Sequence, residues 1–177
     1  VSIYQGKIMR HFASIPFGGK NITNDIKTEC QISEHLAENI KLEFIGDRSG
    51  MPEDIVKLME TAEYDSKDAT GLKVYMAINY GGRDELVHAV KEIIKEGVSA
   101  DDITEETISS HIYTKDYPDP ELIIRPSGEY RLSNFLIWQS AYSEFWFSNV
   151  LWPDFTPDDL EKAIDDYNLR NRRFGGV

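Results

Sequence analysis

Short runs rich in branched and aromatic residues recur along the chain with helical patterns between them, and this alternation restricts the fold more than any other feature. The strand-like runs are Val1 to Tyr4, Lys41 to Ile45, Leu72 to Asn79, Leu122 to Ile124 and Glu144 to Phe147. Leu86, Ala89, Val90, Ile93 and Ile94 follow the spacing of a buried helical stripe, and Gly97 supplies its C-cap. Ile55, Leu58, Met59 and Ala62 repeat the pattern after Pro52, a residue favoured at helix starts. Thr156-Pro157-Asp158-Asp159 signals a last helix, with a threonine N-cap, proline in the first turn and acids that complement the helix dipole. Leu160, Ala163, Ile164 and Tyr167 would then face inward. Strand and helix in alternation predict an α/β fold, a mostly parallel central sheet flanked by helices, with right-handed connections and ligands beyond the carboxyl ends of the strands. Without a low-complexity tract, long linker or internal repeat, residues 1–177 read as one domain, long enough to bury a core.

One loop stands where that rule puts a ligand. Arg125-Pro126-Ser127-Gly128-Glu129-Tyr130-Arg131-Leu132-Ser133-Asn134-Phe135 follows a strand and places two guanidinium groups, short hydroxyl donors and a glycine close together. Arginine offers a planar fork that matches phosphate oxygens in pairs, and Gly128 would let the backbone approach an anion. A helix start at Ser133 or Asn134 would complete a strand, loop and helix N-terminus suited to an anion. The plainer alternative is that the two arginines are surface ion-pair partners in an acidic protein. Gly81 and Gly82 before Arg83 read best as a tight strand-to-helix turn.

Any such anion site has to be local. With 19 Lys plus Arg against 31 Asp plus Glu, the formal charge is -12, which argues against general nucleic-acid binding. The single cysteine, Cys30, excludes an internal disulfide framework and suits a reducing, cytoplasmic setting as a small buried residue. His11, His35, His88 and His111 lie far apart without partners at zinc-ligand spacing. The longest apolar stretch, Phe135 to Val150, is interrupted by Gln139, Ser140, Ser143, Glu144 and Ser148, short of the ~20 apolar residues a membrane span needs, so a soluble chain is expected.

The loop, taken with Ser140-Ala141-Tyr142-Ser143-Glu144, Val150-Leu151-Trp152-Pro153-Asp154-Phe155 and Arg172-Arg173-Phe174-Gly175-Gly176, resembles the C-terminal half of the cis-prenyltransferases, the undecaprenyl and dehydrodolichyl diphosphate synthases. Asn79-Tyr80-Gly81-Gly82-Arg83 and Phe44-Ile45-Gly46-Asp47 match two further family segments, so that residues 40–177 are family-like and residues 1–39 divergent. The resemblance implies a cis-prenyltransferase-like fold and a Z-type condensation of isopentenyl diphosphate with an allylic prenyl diphosphate, giving a polyprenyl diphosphate. It implies that Arg125, Arg131 and Ser133 bind the isopentenyl diphosphate, that Glu129 and Asn134 complete the loop, and that Arg125, Arg131 and Glu144 serve the reaction. It further implies that Glu144 helps hold magnesium (Mg) and that Arg173-Phe174-Gly175 reaches into a neighbouring subunit's diphosphate site. A homodimer, or a heterodimer with a related subunit, is therefore expected, along with peripheral membrane contact through the lipid product. The simpler role for Arg170, Arg172 and Arg173 is as cations near a helix C-terminus.

Departures from the family pattern set a second expectation. Nothing in the chain resembles the Asp-Gly-Asn-Gly-Arg-Trp type segment whose aspartate anchors magnesium in the family, and Val1-Ser2-Ile3-Tyr4 stands where the family's second strand should be. The expected sheet lacks the family's first strand, and an uncovered strand edge is a liability. Gln5 to Phe12 replaces the usual Ser-X-Glu-Asn continuation, and Ile26, Cys30, Ile32 and Leu36 mark only a loosely spaced helix. The alternative function is thus a non-catalytic or half-site subunit that binds a diphosphate and supports a full-length partner. A weaker third is a branching or short-chain synthase.

Overall fold

The computed structural model describes the backbone of residues 2–5 and 8–12 and, in full, residues 40–171. The expected helix carrying Ile26, Cys30, Ile32 and Leu36, and the terminal Arg172, Arg173 and Gly175, lie outside the described residues. The chain divides into two compact units, Val1–Tyr80 and Gly81–Val177.

In the first unit, β1 (Ser2–Gln5) pairs antiparallel with β2 (Ile8–Phe12), with an irregularity between Ile3 and Tyr4. The strand β2 was not anticipated from sequence. A βαβ unit follows: β3 (Lys41–Ile45), helix α1 (Glu53–Ser66) and β4 (Lys73–Ala77), the two strands parallel and in unbroken register from Lys41↔Lys73 to Ile45↔Ala77. Its core is Ile40, Leu42 and Ala62, with Phe44 and Val74 packed against them. Lys41 and Ile45 bond toward β4, through Lys41 N–H to Leu72 O and Ile78 N–H to Ile45 O, so Leu42 and Phe44 turn their amides to the opposite edge. Those two amides donate to side chains of α1: Leu42 to Ser66 Oγ at 3.0 Å and Phe44 to Glu63 Oε1 at 3.0 Å. Two backbone donors on that edge of β3 are thus satisfied by side chains of the helix that follows it.

In the second unit, α2 (Gly82–Lys95) precedes a short 3-10 turn (Ala100–Asp102) and α3 (Glu105–Ser109). The strands β5 (Leu122–Arg125) and β6 (Glu144–Phe147) are parallel, and α4 (Pro157–Asn168) follows after a 3-10 turn over Trp152–Asp154. Among the described residues two of three strand pairs are parallel and helices intervene, so the α/β expectation holds. The expected helical stripes are only partly buried. On α2, Gly82, Glu85, Ala89 and Ile93 are buried while Val90 and Ile94 are exposed. On α4, Ala163 is fully buried, whereas Leu160 and Ile164 are both 43% exposed. The threonine cap of α4 is as expected: Thr156 and Asp159 exchange bonds in a reciprocal capping box.

No helix begins at Ser133 or Asn134. Residues 133–142 run through successive turns, with Ser133, Asn134 and Leu136 at φ of 53°, 65° and 45°. Left-handed backbone at three of four positions is incompatible with a right-handed helix.

Candidate functional site

Arg125 is the last residue of β5, so a loop leaving the carboxyl end of a strand begins there. The loop does not wander. Ser127 and Gly128 adopt left-handed φ of 76° and 66°, and their amides donate to Val150 O and Ser148 O, both at 2.8 Å. These two amides are therefore spent on backbone, and Gly128 serves the turn instead of an anion's approach. The loop's side chains are a further source of donors for a ligand.

Those side chains converge. Arg125 Nη2 donates to Glu129 Oε2 at 2.6 Å and to Ser133 Oγ at 3.3 Å, and Arg131 Nη2 meets Glu129 Oε1 at 2.5 Å. Each oxygen of one carboxylate thus holds one guanidinium. Arg125, whose bond chiefly holds the Glu129 carboxyl below the usual carboxylate range, is assisted by Arg131. Arg125 is the more enclosed of the pair, with 27% of its side chain exposed against 60% for Arg131.

Asn134 points elsewhere. Its Oδ1 accepts the Arg83 amide at 2.9 Å and its carbonyl the Gly82 amide at 2.7 Å, both in the first turn of α2. The helix has no side-chain cap of its own, since Gly81 occupies the N-cap position. Further along, Gln139 Nε2 donates to Glu85 Oε2 at 3.0 Å and to Thr114 Oγ1 at 2.8 Å, and Glu85 Oε1 accepts the Tyr113 amide at 2.9 Å. Both Glu85 and Gln139 are buried. Sequence reasoning passed over these contacts, although one signal was present: a helix opening on Gly-Gly, without Ser, Thr, Asp or Asn at its cap, has to find its acceptor elsewhere.

Glu144 is not brought to the arginine cluster. The register sets Glu144 opposite Leu122 and Arg125 opposite Phe147, at opposite ends of the β5–β6 pair. Three residues of strand separate them, roughly 10 Å. Glu144 Oε2 instead accepts from Arg170 Nη1 at 2.9 Å, while the same guanidinium donates to Phe145 O and to Asp166 Oδ2. Asp166 first, then Glu144, raises the Arg170 pKa above its ordinary value. Among the described residues no group of three or more His, Cys, Asp or Glu side chains is arranged to hold a metal ion.

Comparison with known proteins gives this geometry a context. A family profile described as putative undecaprenyl diphosphate synthase matches residues 20–175. The chain is 49% identical over 162 residues to an isoprenyl transferase of Clostridium perfringens, covering 89% of this chain and 63% of that protein. A similar protein of Clostridium tetani, also named isoprenyl transferase, is 48% identical over 83% of this chain and 59% of its own length. The chain therefore spans about three fifths of the length of these curated relatives. Among solved structures it is similar to lavandulyl diphosphate synthase from Lavandula x intermedia in complex with dimethylallyl diphosphate, with a TM-score of 0.76 at 34% identity over 89% of this chain and 66% of that one. It is also similar to a probable undecaprenyl diphosphate synthase from Campylobacter jejuni, with a TM-score of 0.73 at 29% identity over 94% and 77%.

Proposed function

Since the chain belongs to the prenyltransferase family of the undecaprenyl diphosphate synthases, we propose that it carries out or supports Z-type condensation of isopentenyl diphosphate with an allylic prenyl diphosphate. One observation carries the reading: two guanidiniums of one loop close on the two oxygens of a single carboxylate, Glu129, at 2.6 and 2.5 Å. A diphosphate presents oxygens of the same charge in a similar span, and planar forks receive them in pairs. Arg125 and Arg131 are the donors, Ser133 adds a hydroxyl, and Glu129 keeps the guanidiniums together until the substrate's oxygens replace or join it. Condensation requires the diphosphate to be held in line with the allylic carbon, and this cluster supplies the holding.

Magnesium takes one or two carboxylates beside phosphate oxygens and water. Glu144 would supply one carboxylate, but it is engaged through Oε2 with Arg170 and stands at the opposite end of β5–β6 from Arg125, so an ion shared with a diphosphate on the arginines would rest chiefly on substrate oxygens and needs carboxylates beyond this cluster. When bound, the ion would neutralise charge on the diphosphate. Arg173 and Gly175 belong to the same proposal as the element that completes a partner subunit's site, in a homodimer or a heterodimer with a related chain. We place the protein in the cytoplasm, meeting the membrane through its lipid product; among the described residues no helix is long and apolar enough to cross a membrane.

Titration calorimetry with isopentenyl diphosphate, followed by incubation with an allylic primer and magnesium, tests the reading. Saturable binding and formation of a longer prenyl diphosphate are expected. No binding to the parent chain at millimolar ligand would overturn the clamp.

A second reading is favoured by the placement of Glu144, engaged with Arg170 at the far end of β5–β6 from the arginines. On that reading the chain is a half-site subunit whose diphosphate clamp works with a carboxylate and metal site supplied by a full-length partner. Product formed only when a full-length relative is added would select it, and product from the chain alone would exclude it.

A further inference from the structure

We propose that Asn134 is a positioning residue, not a diphosphate ligand: it fastens the arginine loop to the first turn of α2 by serving as that helix's cap from a distance. The inference rests on the diphosphate reading of the Arg125–Ser133 cluster and adds what holds it in place. Three independent features carry it. The amide oxygen of Asn134 and its backbone carbonyl take the Arg83 and Gly82 amides, two of the donors that a helix start leaves without intrahelical partners. Gly81 and Gly82 leave the room for this. A Cβ on Gly81 would come within 2.6 Å of Asn134 Nδ2, and one on Gly82 within 2.7 Å of Ile137 Cγ1 and 3.1 Å of the Ile137 amide nitrogen. Finally, the same helical turn grips the far end of the segment through Glu85 and the buried Gln139.

The turns over 133–139 are thus held at two points by one rigid element. Ser133, whose hydroxyl meets Arg125, sits directly beside the first point and holds a left-handed φ of 53°. Release of Asn134 would let Ser133 relax and Arg125 lose one of its two orienting partners. Affinity for a diphosphate should then fall although no ligand contact was deleted.

Asn134→Ala and Asn134→Asp separate this role from direct binding. Aspartate keeps an acceptor for the Arg83 amide and caps helices as well as asparagine does, but it loses the amide donor and adds a negative charge that a diphosphate ligand could not tolerate. Inorganic diphosphate affinity, read by calorimetry, should drop about fivefold in Asn134→Ala, the size of effect that loss of an N-cap ordinarily brings. Asn134→Asp should retain most of it. Hydrogen exchange at the Arg83 amide should speed up in the alanine variant and stay slow in the aspartate variant. Equal loss of binding in both variants, with the Arg83 amide still protected in each, would overturn the proposal and make Asn134 a direct ligand. If the parent chain fails to bind diphosphate, the clamp itself is refuted; Arg83 exchange unaltered in Asn134→Ala would, separately, refute the anchorage.

Discussion

At the scale of single residues, Arg125 and Arg131 look equivalent in sequence and differ in the structure. Arg125 is the more enclosed and is oriented by both Glu129 and Ser133, whereas Arg131 is held by Glu129 among the described residues and is 60% exposed. A guanidinium held in place loses less freedom on binding than one that is free to move. Arg125→Ala should therefore cost about 1.5 to 3 kcal/mol of diphosphate binding, the range for a hydrogen bond to a charged group. Arg131→Ala should cost less, and Arg125→Lys should fall between the parent and Arg125→Ala because it keeps the charge and loses the fork. Calorimetry on the three variants checks the order, and a larger loss from Arg131→Ala would contradict it. The convergence of Arg125, Glu129, Arg131 and Ser133 was legible beforehand because all four fall within nine residues after a strand. The partner of Glu144 was not. Which end of β5 faces Glu144 depends on strand register, and Arg170 reaches it from beyond a helix distant in sequence.

At the scale of elements, local chemistry predicted well where an element caps itself and poorly where it is capped by another. Thr156, Pro157 and Asp159 announce α4, and the structure has the box they imply, with Thr156 N–H to Asp159 Oδ2 at 3.1 Å and Thr156 Oγ1 to the same oxygen at 2.8 Å. Asn134 carries a similar signal, a polar residue before an apolar run, yet it caps α2 through the Arg83 amide, 51 residues earlier in the chain. The sequence after Asn134 lacks the proline and the N3 acid that mark α4, since Phe135 and Ile137 stand where Pro157 and Asp159 do. Periodicity likewise marks which face of a helix turns inward but not how deeply, so Ala163 is buried while Leu160 and Ile164 beside it remain 43% exposed. For α4 the cap can be tested directly. Thr156→Ala should cost about 1 kcal/mol, a fall in Tm of roughly 2–4 °C for a chain of this size. The effect should depend on pH in a defined sense. Bonds from Thr156 lower the Asp159 pKa from 3.8 to about 2, so the contribution is fully present above the ordinary value and is lost as pH falls from 3.8 through about 2. The Tm gap between parent and variant should be constant near neutrality and narrow only in that acid window; a gap that persists unchanged below it would show that the carboxylate is not involved.

At the scale of the whole molecule, the site is a small cationic cluster on a chain whose formal charge is -12. The two fields act over different distances. The long-range field repels an anion, whereas Arg125 and Arg131 attract it only within a few ångströms, and salt removes the longer-range term first. The screening length falls from about 30 Å at 0.01 M to about 8 Å at 0.15 M ionic strength. A basic protein loses association rate with its anionic ligand as salt is added, because steering is screened. For this chain the same addition should raise the association rate of inorganic diphosphate, by on the order of twofold, because repulsion is what is screened. The dissociation rate should rise as well, since the contacts with Arg131 are largely open to solvent. Stopped-flow measurements across that range of sodium chloride, without magnesium, resolve the two rates. A steep decline in association rate would mean that the ligand is guided by a positive field extending well beyond the Arg125–Arg131 pair, a field the overall charge does not supply.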